Sequence, residues 1–126
     1  MIRGIGTDIV AIGRIRDMMR RYGDHFLRKI FTDAELKYCS GKADPAIHFA
    51  GRWAAKEAFY KALPKSCQRL ASWKSIQIIP AGEGEGPIIE FCSDPLRRQV
   101  EAEEISSLLV SISHEKEYCI GFVAVG

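Results

Sequence analysis

The sequence predicts an α+β fold with a largely antiparallel sheet, in one domain that covers residues 1–126. Three observations predict it. The chain has 126 residues, of which 47% are hydrophobic and 27% charged, as is typical of a globular protein with a single core. Helix signals are concentrated in the first half, after one opening strand. The second half predicts four strands and one helix, and strands joined by tight turns pair antiparallel.

The first half predicts one strand and three helices, whose ends are marked by residues that begin or stop helices. Gly23 is a typical helix stop, and Pro64 cannot continue a helix. Thr32 and Glu35 form a capping box, and Asp44 is a typical N-cap. The predicted elements are a strand over Ile2–Ile9 and helices over about Ala11–Tyr22, Asp33–Ser40 and Pro45–Leu63.

The second half predicts two hairpins separated by a short helix. A glycine-rich turn over Pro80–Gly86 and a polar turn over His114–Glu117 each separate two apolar segments. The predicted elements are strands over Trp73–Ile79 and Pro87–Cys92, a helix from Asp94 to about Glu104, and strands over Leu108–Ser113 and Tyr118–Val125.

Composition favours a reduced cytoplasmic protein. No apolar stretch approaches the roughly 20 residues that a membrane span needs, and the first residues do not have the pattern of a secretory signal. The four cysteines lie far apart without a C-x-x-C pair, which favours small buried thiols over a zinc site or a disulfide framework. We therefore expect cytoplasmic localisation and no membrane partner.

Charge is distributed unevenly, although the net charge is only +2. Residues 14–29 hold six basic and two acidic side chains, whereas residues 83–104 hold seven acidic and two basic ones. The basic first helix is a candidate docking face for an acidic partner, and a solvated helix face is the alternative. Nucleic acid is the less favoured partner, because the strands lack a set of surface aromatics suited to base stacking.

Two carboxylates and one ammonium are the strongest candidates for chemistry. Asp8 interrupts the apolar run Ile2–Ile12, where a carboxylate is costly unless a helix cap or a cation compensates it. Glu57 and Lys61 are four residues apart on the longest helix, a spacing that alone is common on helix surfaces. Taken with Asp8, they suit a site that holds Mg²⁺ and a phosphate ester.

Positive charge and one histidine extend this hypothesis. Arg52, Lys56 and Lys61 are expected to supply positive charge along the longest helix, as phosphoryl transfer requires. His114 is expected at the tip of the last hairpin, either as a phosphate donor or acid/base group, or as a turn histidine bonded to local backbone.

Four segments resemble one family along nearly the whole chain: GIGTDIVAIGRI, FAGRWAAKEAFYKAL, SWKSIQI and SISHEKEYCIGFV. The chain resembles the holo-[acyl-carrier-protein] synthases, the small bacterial type of phosphopantetheinyl transferase. The resemblance implies an antiparallel sheet wrapped around one long central helix. It also implies transfer of the phosphopantetheine arm of coenzyme A to a serine of an acidic apo acyl carrier protein, with release of adenosine bisphosphate, in support of fatty acid biosynthesis.

The resemblance also assigns residues. It implies that Asp8 and Glu57 hold Mg²⁺ and that Lys61 contacts the phosphates. Our hypothesis for the base is either Glu57 or a water held by Mg²⁺. Arg52 and His114 fall on positions for the nucleotide end of coenzyme A. A homotrimer with active sites between subunits is implied, so His114 would come from a neighbouring chain. The positions that match the carrier-docking face are Arg14, Met18, Arg21 and Trp53.

One segment departs from the family pattern. Leu63–Ser66 stands where the family usually has a glycine-rich turn that lets backbone approach coenzyme A. Pro64 has no N–H to donate, and Lys65 brings a charge in its place. The change concerns nucleotide binding rather than the expected metal site.

Overall fold

A computed structural model describes all 126 residues of the chain. It contains five strands and five helices, and α3 is the central helix. In chain order the elements are β1 Gly4–Ala11, α1 Ile12–Ile30, α2 Asp33–Ser40, α3 Pro45–Ala62, α4 Lys65–Gln68, β2 Ile76–Pro80, β3 Pro87–Phe91, α5 Asp94–Ala102, β4 Leu108–Glu115 and β5 Tyr118–Val125.

The strands form two antiparallel sheets. The larger sheet has the order β1-β5-β4, and the smaller one is the β2–β3 hairpin. The predicted α+β class, the antiparallel pairing and both hairpins are confirmed. The hairpins lie in separate sheets, however, and the last strand also pairs with β1, the first strand of the chain.

Glycines bring α3 unusually close to the larger sheet. A β-carbon added at Gly6 would overlap the carbonyl oxygen of Ala58, and one added at Gly121 would lie 2.5 Å from the carbonyl carbon of Ala54. Both obstacles are backbone atoms of α3, so no side chain can fit between helix and sheet at these points. The helix contributes alanines to the same contact, and this close packing fixes where its polar residues meet β1.

Two hydrophobic clusters lie on either side of α3. One joins α3 to α1 and α2, with the rings of Phe31 and Phe49 4.8 Å apart. The other joins α3 to both sheets and α5, and Phe59 packs there with Ile76 and Leu96. A long helix packed on all sides explains why its sequence is apolar around most of its circumference.

The first helix differs from the prediction after Gly23. Gly23 has φ 55° and ψ −137°, so it does interrupt the helix, as predicted. A second helical segment follows at once and continues to Ile30. Phe26, Leu27 and Ile30 are buried on the inner face of this segment, and their packing explains its formation.

Other elements also differ from the prediction. Strand β1 lies over Gly4–Ala11 rather than Ile2–Ile9, α5 ends at Ala102 rather than at about Glu104, and the short helix α4 was not predicted.

Two further boundaries and one cap differ as well. Residues 73–75 are not strand but part of a turn in which Ser75 N–H donates to Ser72 O at 3.1 Å. Strand β4 continues through Glu115, so His114 is paired with Cys119 and does not lie at a turn. Asp44 makes no side-chain cap to α3 and instead binds Arg16 through two 3.0 Å hydrogen bonds, which lower the pKa of Asp44.

All four cysteines are free thiols. Three are buried as predicted, but Cys92 is exposed at the end of β3. Burial raises the pKa of Cys39 to about 12, so its thiolate is scarcely populated near neutral pH. None of the helices combines the length and apolar content that crossing a membrane requires.

Candidate active site

Asp8 lies against α3, where Lys61 compensates its charge. Successive residues of a strand face opposite sides, so Asp8 shares the helix-facing side of β1 with Gly6. Lys61 Nζ donates to Asp8 Oδ1 at 3.1 Å and to Thr7 O at 3.1 Å. The first residue before α1 is Ala11, without a side-chain cap, so Asp8 does not cap that helix. Lys61 is thus the direct partner of Asp8, although the sequence pattern associated it with Glu57.

Glu57 lies one helical turn before Lys61 and is half-buried. Its carboxylate makes no hydrogen bond or salt bridge within the chain. Burial raises the pKa of Glu57, and the charge of Asp8 raises it further, whereas Lys61 and Arg14 oppose the change. The structure therefore brings Asp8, Glu57 and Lys61 together, as the sequence predicted, with two carboxylates close enough to repel each other.

This donor set fits Mg²⁺. Mg²⁺ prefers oxygen ligands and is usually held by one or two carboxylates, with water and substrate phosphates completing its coordination. A divalent ion would relieve the repulsion between the two carboxylates and give Glu57 the partner that it lacks. The chain has no group of three or more His, Cys, Asp and Glu arranged around a metal site. The remaining ligands of such an ion would therefore come from water or from a substrate.

An open cavity of about 350 Å³ begins at Glu57. Its lining is mostly apolar and includes Phe59, Tyr60, Trp73 and Ile76. The cavity thus adjoins Glu57, and Lys56 and Ser72 add polar groups to its wall. Sequence reasoning did not predict it, because its walls come from α3 and from the turn before β2.

Arg52 and His114 line a second cavity, of about 200 Å³, together with Tyr38 and His48. Arg52 is buried, donates from Nε to Ile78 O at 3.2 Å, and places its guanidinium 4.6 Å from the centre of the Tyr38 ring. Burial lowers the pKa of His48, and the positive charges around it, with Arg52 first, lower it further. The structure thus brings Arg52 and His114 to one cavity, where they and His48 supply hydrogen-bond donors.

The two cavities open on different sides of α3. Arg52 and Glu57 are five residues apart, so their side chains leave the helix about 140° from each other. Asp8, Glu57 and Lys61 therefore form one group, whereas Arg52 and His114 form another. Within one chain the two groups do not share a cavity.

Lys56 does not contribute the phosphate-facing charge that the sequence suggested. Its ammonium is buried and forms a 2.7 Å ion pair with Glu35. The capping box of α2 is present, because Thr32 N–H donates to Glu35 at 2.9 Å and Glu35 N–H donates to Thr32. Sequence reasoning assigned Glu35 only that local role. The sequence did carry one signal for this pair: Lys56 lies on a helix face whose other residues are mostly apolar, so its ammonium needs a partner in the core.

The predicted docking residues lie on or beside α1. The guanidinium of Arg14 lies 5.5 Å from the centre of the Trp53 ring, and Trp53 in turn stacks on Trp73 at 4.5 Å. Met18 is half-buried against the core, and Arg21 is exposed with a 3.4 Å contact to Asp17. The carrier-docking face predicted from the sequence is therefore formed by α1 and α3 together.

The segment that departs from the glycine-rich pattern forms a one-turn helix. Pro64 precedes α4 in an extended conformation, with φ −60° and ψ 155°. Its carbonyl oxygen accepts from Cys67 N–H at 2.9 Å and from Gln68 N–H at 3.0 Å. Proline thus begins α4 where its fixed φ is favourable.

Comparisons with known proteins identify relatives along most of the chain. A family model for the 4′-phosphopantetheinyl transferase superfamily matches residues 4–123. The holo-[acyl-carrier-protein] synthase of Chlamydia pneumoniae is 43% identical over 115 residues, which cover 90% of this chain and 88% of that protein.

Solved structures give the same result. The crystal structure of the holo-[acyl-carrier-protein] synthase of Neisseria meningitidis is similar with a TM-score of 0.85 and 31% identity, over 100% of this chain and 99% of that one. The enzyme of Helicobacter pylori in complex with coenzyme A has a TM-score of 0.77 and 29% identity, over 97% of this chain and 99% of that one. This chain belongs to the 4′-phosphopantetheinyl transferase superfamily.

Proposed function

We propose that this chain is a holo-[acyl-carrier-protein] synthase. It transfers the phosphopantetheine arm of coenzyme A to a serine hydroxyl of an apo acyl carrier protein and releases adenosine bisphosphate. Residues 1–126 act as one transferase domain, in the cytoplasm, in support of fatty acid biosynthesis. The observation that carries the proposal is the convergence of Asp8, Glu57 and Lys61 between β1 and α3 in a member of this family.

Asp8 and Glu57 would hold Mg²⁺ beside the diphosphate of coenzyme A. When bound there, Mg²⁺ supplies neutralisation of phosphate charge, which is most of what phosphoryl transfer needs besides positioning. Lys61 donates to phosphate oxygens and offsets the charge that develops on the leaving oxygen. Its hydrogen bond to Asp8 also orients that carboxylate.

The carrier serine is the nucleophile. Its oxygen bonds to the phosphorus next to pantetheine as the bond from that phosphorus to the bridging oxygen breaks. The serine proton passes to a base, and the bridging oxygen leaves with the adenosine bisphosphate. Glu57, whose carboxylate makes no hydrogen bond within the chain, is the candidate base among the side chains, and a water held by Mg²⁺ would be the alternative.

Intact mass spectrometry tests this function directly. Apo acyl carrier protein is incubated with the chain, coenzyme A and Mg²⁺, and we expect its mass to rise by one phosphopantetheine. Omission of coenzyme A, or of Mg²⁺ with a chelator present, should abolish the increase. An unchanged carrier mass under the complete conditions would refute the proposed activity.

A homotrimer with active sites between subunits accounts for the two separated groups of residues. In such an assembly Arg52 and His114 of one subunit bind the nucleotide end of coenzyme A. The Asp8 group of the next subunit holds the diphosphate. An apolar surface on the outer face of the larger sheet supports the assembly, since apolar patches of this kind mark interaction sites. Its side chains are 43–63% exposed in the single chain and comprise Ile5, Ile9, Leu109, Tyr118, Ile120 and Phe122.

A charge introduced on this face should separate the subunits. We expect the wild type to have three times the 14.1 kDa mass of one chain in light-scattering chromatography, and Phe122→Asp to have the mass of one chain and little transfer activity. Ile88→Asp is the matched control, because Ile88 is an exposed isoleucine on the other sheet. A fully active wild-type monomer would contradict the shared active site.

Charge reversal on α1 should weaken carrier binding specifically. For the double variant Arg14→Glu, Arg21→Glu, we expect KM for the carrier protein to rise roughly 10-fold, as exposed charge pairs contribute up to about 1 kcal/mol each. The KM for coenzyme A should stay near the wild-type value. Wild-type KM for the carrier should also rise with salt, because exposed charges are screened. Arg98→Glu on α5 provides the control, and an equal response to that variant would argue against docking on α1.

A further inference from the structure

Lys56 is next to Glu57 in sequence, but its ammonium lies in the core. The side chains of Lys56 and Glu35 are only 2% and 0% exposed. Lys56 Nζ lies 2.7 Å from Glu35 Oε1 and donates to Ile30 O and Ile76 O at 3.1 Å each, and also to Trp73 O. The ammonium is thus fully engaged and has no donor left for a substrate.

This ion pair joins four segments of the chain that meet at one point. Glu35 extends the network by accepting from Thr32 N–H at 2.9 Å and from Ile78 N–H at 2.8 Å. The segments are the end of α1, the start of α2, the turn before β2, and β2 itself. A single buried pair therefore determines how the turn and β2 lie relative to α3.

Stability alone is a weak reason for such a pair. Removing two charges from water costs several kcal/mol each, and well-packed apolar residues often replace buried ion pairs without loss of stability. Apolar packing, however, does not orient backbone carbonyls, whereas an ammonium with directed N–H donors does. The pair is better explained by the geometry that it imposes on the residues it binds.

Two of those residues, Trp73 and Ile76, line the 350 Å³ cavity that begins at Glu57. Lys56 holds the backbone carbonyl of each, and the Trp73 ring rests on Trp53. The buried Lys56 therefore fixes the position of this cavity wall relative to the carboxylates.

The charges around each cavity indicate which part of coenzyme A it suits. In the cavity beside Glu57 the only cationic side chain is Lys56, which Glu35 neutralises. An anionic nucleotide would find no free positive charge there, but an uncharged chain of amides and methylenes would fit the apolar lining. The other cavity offers a phosphate the donors of Arg52, His48 and His114, although the carboxylate of Glu85 also lines it.

We propose that Lys56 and Glu35 are a positioning pair, which fixes Trp73 and Ile76 so that the cavity beside Glu57 accepts the uncharged pantetheine arm of the donor. The inference rests on the proposed function and deepens it. Neither residue touches the substrate. Both act through the wall that holds the arm, while the phosphates are held elsewhere.

The test compares coenzyme A with adenosine 3′,5′-bisphosphate, which lacks the pantetheine arm and the phosphate attached to it. For each ligand the variant is compared with the wild type, so the missing phosphate does not affect the comparison. In the double variant Lys56→Met, Glu35→Gln no unpaired charge stays buried, because both new side chains are neutral, and the new amide oxygen still accepts a hydrogen bond. We expect its calorimetric Kd for coenzyme A to rise about 10-fold and its Kd for the bisphosphate to stay within 2-fold. KM for coenzyme A should rise with little change in kcat, because uniform binding is lost.

Lys74→Met is the matched control. Lys74 lies on the same turn and also donates to a backbone carbonyl, that of Arg28 at 3.0 Å, but it is exposed and outside the cavity. We expect wild-type affinity for both ligands. Equal weakening of coenzyme A and bisphosphate binding in the double variant would overturn the proposal, and so would unchanged binding of both.

A second variant keeps the test decisive if the double variant does not fold. Trp73→Ala removes one wall of the cavity and leaves the ion pair in place, so it should show the same selective loss of coenzyme A affinity. Unchanged affinity in Trp73→Ala would refute the proposal on its own. A wild-type chain that neither binds coenzyme A nor modifies a carrier would instead refute the proposed function.

Discussion

Replacing Asp8 with alanine is expected to lower the rate of phosphopantetheine transfer by about 10²–10³-fold, the range seen when one group aimed at transition-state charge is removed. Two interactions are lost together. The carboxylates no longer form a pair for Mg²⁺, and Lys61 loses the acceptor that holds it at 3.1 Å. Initial rates from intact mass spectrometry of the carrier, with saturating coenzyme A and Mg²⁺, measure the effect.

Two companion variants separate these causes. Asp8→Asn keeps an oxygen for Lys61 but removes the charge, and we expect a loss nearly as large if cation binding dominates. Asp94→Ala removes an exposed carboxylate of α5 that pairs with Arg97, and it should retain the wild-type rate. If the Asp8→Ala enzyme has the wild-type rate and still requires Mg²⁺, Asp8 has no role in the transfer and the assignment is wrong.

The variant Gly6→Ala is expected to lower the free energy of unfolding by roughly 3 kcal/mol, the upper part of the range for overpacked cores. The added methyl group would overlap the carbonyl oxygen of Ala58, and a backbone atom cannot move aside as a flexible side chain can. Relief requires β1 and α3 to separate, which also displaces Asp8, two residues along the same face. We therefore expect lower activity as well as lower stability.

Urea unfolding at one fixed protein concentration measures this change, since assembly makes stability concentration-dependent. Gly13→Ala is the matched control, because a β-carbon at Gly13 meets nothing within 4 Å and alanine favours a helix by about 1 kcal/mol over glycine. It should be neutral or slightly stabilising. Equal stability of Gly6→Ala and the wild type would show that the helix and sheet have room to adjust.

Local signals predicted most of the fold. The capping box of Thr32 and Glu35 marked α2, and Pro45 with the following small and apolar residues marked α3 to within one residue of its end. These features act over a few neighbouring residues, so the sequence displays them directly. The helical segment after Gly23 was missed because its formation depends on packing of Phe26 against the rest of the core.

The sequence predicted that Asp8, Glu57 and Lys61 lie close together, but it did not predict how they pair. Asp8 could be singled out because it interrupts an apolar strand, and Glu57 and Lys61 because they are four residues apart on the longest helix. The family resemblance then connected these three residues to one proposed site. That Lys61 binds Asp8, and that Lys56 binds Glu35, depends on how closely β1 and α2 approach α3. Such distances follow from tertiary packing, and no spacing along the chain encodes them.

The order of the larger sheet bears on how the protein forms during synthesis. Strand β1, which carries Asp8, pairs only with β5, and Asp8 itself lies opposite Gly121. A nascent chain therefore cannot complete this sheet until its final strand has left the ribosome. Translation products that end after residue 114 but before residue 118 would keep every side chain proposed for the site and still be inert.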